Sequence, residues 1–173
     1  VSDSQSIQKV DFFNGTTLIV ADTSSPFTAN WVTAGDTNQT LLATAYDDAN
    51  NTVNSSVVIV ITDNTAPSNV AVVHDPGAYD GDGTVTWNWT APGDGSGSGI
   101  DYYMLQLNDS SGTFYTTNTT STSFTYSGLL DGQNYTLSVR AVDKVSIRSA
   151  AWTTSNGIFV DMTPPTVVIT QVY

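Results

Sequence analysis

Tyr135-Thr136-Leu137-Ser138-Val139-Arg140-Ala141-Val142-Asp143 is rich in β-branched and aromatic side chains, and it is the clearest of many short stretches of this kind. Upstream of it, similar stretches run over 70–73, 83–90, 102–107, 113–117 and 123–126, and 158–160 follows it. An earlier series occupies 7–13, 16–21, 27–32, 40–46 and 56–62, bounded by turn signals such as Asn14-Gly15, Ser25-Pro26, Gly35-Asp36 and Asp47-Asp48. Helical periodicity is absent, because turn residues interrupt nearly every stretch before an amphipathic helix could nucleate. Short strands at this spacing predict an all-β chain of antiparallel sandwiches.

The two series are separated by Asp63-Asn64-Thr65-Ala66-Pro67, and a near copy, Asp161-Met162-Thr163-Pro164-Pro165, closes the second. Proline fixes φ and lacks a donor, so it stops one module's last strand and stiffens entry into the next. The expected organisation is a partial sandwich over 1–63 that lacks its first strands, a complete one over 64–163, and a linker with one strand over 164–173. Two linkers imply at least three modules, of which the middle one is complete.

The second series resembles a fibronectin type III domain from Pro67 to Asp161. The resemblance rests on Trp87 and Trp89 with Thr90-Ala91-Pro92, on Tyr102-Tyr103-Met104-Leu105-Gln106-Leu107, on Ser123-Phe124-Thr125-Tyr126-Ser127-Gly128-Leu129, and above all on the 135–143 stretch. It implies that Tyr135 forms a corner by bonding upstream backbone, with Leu137, Val139 and Ala141 inward. Trp89, like Trp31 and Trp152, is expected in a core rather than on a sugar-stacking surface.

The first series is similar to a bacterial or archaeal immunoglobulin-like module, through Val10-Asp11-Phe12-Phe13-Asn14-Gly15-Thr16, Pro26-Phe27-Thr28-Ala29-Asn30-Trp31 and Leu42-Ala43-Thr44-Ala45-Tyr46-Asp47-Asp48. That family begins with a Pro-Pro-X-Val strand and a second strand, and Val1 to Asp3 are expected to be only the tail of the second. Pro164-Pro165-Thr166-Val167-Val168-Ile169-Thr170-Gln171-Val172-Tyr173 looks like this first strand, displaced to the other end of the chain. Residues Thr166, Val167, Val168, Ile169 and Thr170 are therefore expected to complete a first module in a neighbouring copy or repeat. The alternative is that upstream residues of a longer tandem protein complete it.

Composition narrows the function. The 173 residues carry 4 Lys and Arg against 16 Asp and Glu, a formal charge of -12. Phosphate binding needs clustered positive charge, which argues against a nucleic-acid partner. With no cysteine there is no disulfide, thiol nucleophile or thiolate metal site. No apolar run is long enough to span a bilayer. The one histidine, His74, falls on an expected edge strand, and no catalytic motif accompanies it, so no enzyme is expected.

Abundant Asp in glycine-rich loops instead suits Ca²⁺, which takes oxygen ligands in irregular geometry. In sandwiches of these families the B–C and F–G loops share one pole, which would gather Asp94, Asp101 and Asp143 near Asp63. By the same reasoning Asp47, Asp48 and Asn50 form the corresponding pole of the first module, facing an upstream counterpart of Asp161. Asp80 and Asp82 make a third candidate. The competing reading of all these residues is Asx-turn geometry.

Asn-X-Ser/Thr sequons at Asn14, Asn38, Asn50, Asn54, Asn88, Asn108, Asn118 and Asn134 suit a glycosylated extracellular surface. The expectation is a non-catalytic structural module of a prokaryotic cell-surface filament, sheath or S-layer-type assembly, an archaeal source being preferred to a bacterial one. Its partners would be copies of itself or neighbouring Ig-like modules, with glycans. The alternative is a spacer or binding module of a secreted adhesin or carbohydrate-active enzyme.

Overall fold

A computed structural model of the chain describes residues 6–33, 35–168 and 170. The chain divides into two compact units: Val1–Asn64 with Ser96–Ser98, and Thr65–Gly95 with Gly99–Tyr173. All regular structure among the described residues is β. No helix there is long and apolar enough to cross a membrane.

The first unit is a single sheet. Strands β1 (Ile7–Asn14), β2 (Thr17–Asp22), β3 (Thr37–Asp47) and β4 (Thr52–Asn54) lie in the order β2-β1-β3-β4, and β5 (Val58–Thr62) also pairs with β3. Gly15, at φ 57°, allows the tight connection that brings Asn14 opposite Thr17.

The stretch 27–32, expected as a strand, is irregular. The carboxylate of Asp22 accepts the N–H groups of Ser24 at 3.0 Å and Thr28 at 2.8 Å. One backbone donor of the stretch, the Thr28 N–H, is thus taken by a side chain, which favours a turn over an extension of the sheet.

This sheet has almost no interior. Val10 is its single buried apolar side chain among the described residues, whereas Val53, Val58, Ile59 and Ile61 are all more than half exposed. An apolar cavity of about 290 Å³ opens beside it, lined by residues that include Phe12, Ile19, Trp31, Leu41 and Val58.

The second unit is a complete sandwich. One sheet holds β11 (Ser123–Ser127), β8 (Thr84–Trp89) and β6 (Val73–His74). The other runs β10 (Gly112–Thr119), β9 (Ile100–Asp109), β12 (Gln133–Asp143), β14 (Ile158–Val160) and β7 (Tyr79–Asp80), with β13 (Thr153–Thr154) also on β12. Period-2 alternation is strict on β8, where Val85, Trp87 and Trp89 are buried and Thr84, Thr86 and Asn88 are exposed. Leu105 and Leu107 of β9, Leu137, Val139 and Ala141 of β12, and Ile158 and Val160 of β14 fill the core with them. Trp89 meets Tyr103 edge to face, with ring centroids 5.3 Å apart. Trp31 and Trp152, expected in a core, are only partly buried. Trp152 stands instead over a shallow groove with Met104, Gln106, Thr116 and Asn118.

Two connections are fixed by aspartates far away in sequence. Asp36 accepts the N–H of Asn64 at 2.6 Å. Asp131 accepts the N–H of Met162 at 2.7 Å and the hydroxyl of Thr163 at 2.9 Å. In both repeats of the linker phrase, the residue after the leading Asp is therefore tied to an aspartate just ahead of a long strand, β3 or β12.

Candidate cation site

The 94–101 loop folds back on itself because the N–H of Gly99 donates to Asp94 Oδ2 at 2.7 Å. Asp143, at the end of β12, uses Oδ1 to accept the N–H groups of Val145 at 2.9 Å and Ile147 at 2.8 Å. Each carboxylate is left with one buried oxygen, Asp94 Oδ1 and Asp143 Oδ2, that has no hydrogen-bond partner among the described residues. Asp143 is 1% exposed and Asp94 9%. Ligand atoms of Asp94, Asp143 and Asp63 lie within 4.8 Å of one another. Asp63 belongs to the linker phrase, and its Oδ2 accepts the N–H of Ser98 at 2.7 Å. The hydroxyl of Ser98 is itself buried without a partner among the described residues.

Three carboxylates at this spacing repel one another, and a buried, unsatisfied carboxylate oxygen is costly. A hard cation removes both costs together. The donor set is all oxygen, with Asp63 and Asp94 outside regular strands and Asp143 at the end of β12, which fits Ca²⁺ better than a metal that prefers nitrogen or sulfur. This partly buried aspartate triad can bind a metal ion.

The remaining candidates sit elsewhere. Asp101 is exposed at the start of β9 and does not belong to the triad. Both oxygens of Asp47 accept hydrogen bonds, Oδ1 from the N–H groups of Ala49 and Asn51 and Oδ2 from the Asn51 amide. That amide above all, with the two backbone donors, holds the Asp47 carboxyl below its ordinary value. Asp48 accepts the hydroxyl of Ser6, and Asn50 occupies an exposed turn at φ 62°. Asp80 accepts the N–H groups of Asp82 and Gly83, Asp82 that of Thr84, and Asp161 that of Thr163. These are Asx-type turns. Ser98 is the residue that sequence reasoning passed over, since its hydroxyl looks like any other in a Gly-Ser loop.

A family model described as the fibronectin type III domain matches residues 65–156, which is 92 of the 173 residues. The chain belongs to the fibronectin type III family. Residues 1–43, ahead of the fibronectin domain, match a model described as a bacterial Ig domain. Both are non-catalytic modules, typical of extracellular or surface proteins. A search of curated proteins gives no match.

Among solved structures, titin domains A168–A170 share 16% identity at a TM-score of 0.64, covering 89% of this chain and 55% of that one. The fibronectin(III)-like modules of Clostridium thermocellum CbhA share 22% at 0.49, covering 93% of this chain and 82% of theirs. The twitchin kinase region of C. elegans shares 19% at 0.49, covering 59% of this chain and 18% of that one. The titin likeness is one of fold alone.

Two further features of the fibronectin domain bear on partners. At the Asn108 sequon the side-chain amide donates to Ser138 Oγ at 3.2 Å and to Gln106 O at 3.3 Å, whereas Asn88, Asn118 and Asn134 are exposed. Along the edges of β10 and β11, Phe114 and Tyr115 are 44% and 37% exposed, and they pack on Phe124 and Tyr126 with centroids 5.1–6.1 Å apart.

Proposed function

We propose that this chain is a structural, non-catalytic stretch of an extracellular filament, sheath or S-layer-type assembly on a prokaryotic cell, archaeal in preference to bacterial. In this reading its modules are completed by neighbouring copies or repeats, and Ca²⁺ at Asp63, Asp94 and Asp143 fastens the linker phrase. The observation that carries the proposal is the first unit's uncovered apolar surface. A sheet with one buried apolar residue among those described and a cavity lined by Phe12, Trp31 and Leu41 is costly in isolation, and an edge strand is a template for pairing. The outer edge of β5 has no second neighbour among the described residues. Val167 and Val168 are 88% and 77% exposed and belong to no strand, so they supply the complementary chemistry. Ile169, central to the expected donor, lies outside the described residues. Strand addition of this kind takes its affinity from main-chain hydrogen bonds and its register from alternate side chains.

A peptide of residues 164–173 tests this. Added to a chain ending at Thr163, it should bind and raise the melting temperature of the first unit. No binding, with the full chain staying monomeric, would favour completion by upstream residues instead.

The half-exposed Phe114 and Tyr115 favour a second reading, a binding module of a secreted adhesin or carbohydrate-active enzyme. Retardation of the protein in polysaccharide gels, lost on Tyr115→Ala, would support it. Glycans at exposed sequons such as Asn88, Asn118 and Asn134 are compatible with either reading.

A further inference from the structure

The two units end their long strands on the same device. Asp47 closes β3, and its Oδ1 accepts the N–H groups of Ala49 and Asn51, both at 2.8 Å. Asp143 closes β12 and accepts those of Val145 and Ile147, again two and four residues on, at 2.9 and 2.8 Å. The backbone repeats too. Asn50 N–H donates to Asp47 O at 3.0 Å and Ser146 N–H to Asp143 O at 3.1 Å. Asp47 N–H donates to Asn51 O at 3.1 Å and Asp143 N–H to Ile147 O at 3.0 Å. The third residue after the aspartate is left-handed in each turn, Asn50 at φ 62° and Ser146 at φ 71°.

The turns differ at the second carboxylate oxygen. In the first, the amide of Asn51 donates to Asp47 Oδ2 at 2.7 Å. Ile147 holds the equivalent place in the second and has no donor to offer, so Asp143 Oδ2 stays buried and unpartnered beside Asp94 and Asp63. We infer that the residue four positions after the strand-ending aspartate decides whether that turn takes a cation. Ile147 is then a specificity-determining residue: it holds Asp143 Oδ2 open for a divalent ion. Asn51 is its counterpart, an amide that satisfies Asp47 from within the turn and closes it to metal. This inference rests on the cation reading of the aspartate triad, and it gives the metal-taking turn to the end of β12 and not to the end of β3.

Calorimetric titration of Ca²⁺ into the full chain tests it with two nearly isosteric variants. Ile147→Asn should place an amide on Asp143 Oδ2, as Asn51 does on Asp47, and weaken Ca²⁺ binding by at least about tenfold, as loss of a ligand's proper environment does. Ile147→Asp puts a further carboxylate oxygen at the same point and should tighten binding. A residue that only packs would move both variants in the same direction. Equal shifts for the two, or none for either, would overturn the inference while leaving the site itself standing. A wild-type chain that takes no Ca²⁺ would overturn the cation reading and this inference with it. If Ile147→Asn does not fold, the sign of the Ile147→Asp change still decides.

Discussion

The backbone N–H of Leu130 donates to the phenol oxygen of Tyr135 at 3.0 Å, pinning the loop ahead of β12 to the first inward-facing residue of that strand. Tyr135 is 3% exposed, and Phe114 meets its ring edge-on at a centroid distance of 5.7 Å. Tyr135→Phe keeps the ring and removes the acceptor, which strands a partly buried N–H. The expected loss is about 1–3 kcal/mol in denaturant unfolding of the fibronectin domain. A change below a few tenths would show that this bond contributes nothing.

Gly83 carries a second local constraint. Its carbonyl accepts the N–H groups of Gly128 and Leu129, its φ is +74°, and a Cβ there would lie 2.8 Å from the Leu129 carbonyl oxygen. Gly83→Ala combines a left-handed backbone with a clash against main chain that cannot rotate away. It should cost about 2 kcal/mol or more in equilibrium unfolding. Gly95→Ala, at φ +56° with open space around it, should cost less, because only the backbone term applies.

The Asp131 latch on Met162 and Thr163 should show itself in its pH dependence. The Met162 N–H first, and then the Thr163 hydroxyl, hold the Asp131 carboxyl below its ordinary value of 3.8. A carboxylate with a depressed folded-state pKa contributes stability that is fully present above the ordinary value and is lost as pH falls through the depressed one. The amide proton shift of Met162 should therefore be flat from pH 7 to pH 5 and move only in more acid solution. In Asp131→Asn the step should vanish. A step at or above the ordinary value would mean the bond does not favour the charged form.

Removal of calcium is the test of the aspartate triad. A ligand that binds only the folded state stabilises it by about 2.7 kcal/mol at a hundredfold excess over Kd. EDTA should lower the melting temperature of the wild-type chain, and Asp143→Ala should abolish the difference between calcium and EDTA. Melting curves that coincide with and without EDTA would refute the site.

Much of this was legible in the sequence, and the exceptions share a cause. Alternation over 135–143 places Leu137, Val139 and Ala141 inward, and they are fully buried, because burial on a strand follows a fixed period of two. The pole that the family resemblance implies likewise gathers Asp63, Asp94 and Asp143. Asp101 falls outside the group because it belongs to β9, whose pleat leaves it exposed. The 27–32 stretch has strand-like composition, but Asp22 captures the Thr28 N–H, and composition carries no record of that. The latches of Asp36 on Asn64 and Asp131 on Met162 link residues 28 and 31 positions apart, beyond the reach of any local pattern.

The central claim, that the first unit is completed by a strand from a neighbouring copy or repeat, is tested most directly by electron cryomicroscopy of the native assembled material. The account predicts residues 166–170 as a strand along the outer edge of β5 in the adjacent unit, with alternate side chains entering the cavity beside Leu41 and Trp31. Residues 166–170 left in solvent, or paired only within their own chain while upstream residues fill that cavity, would contradict it.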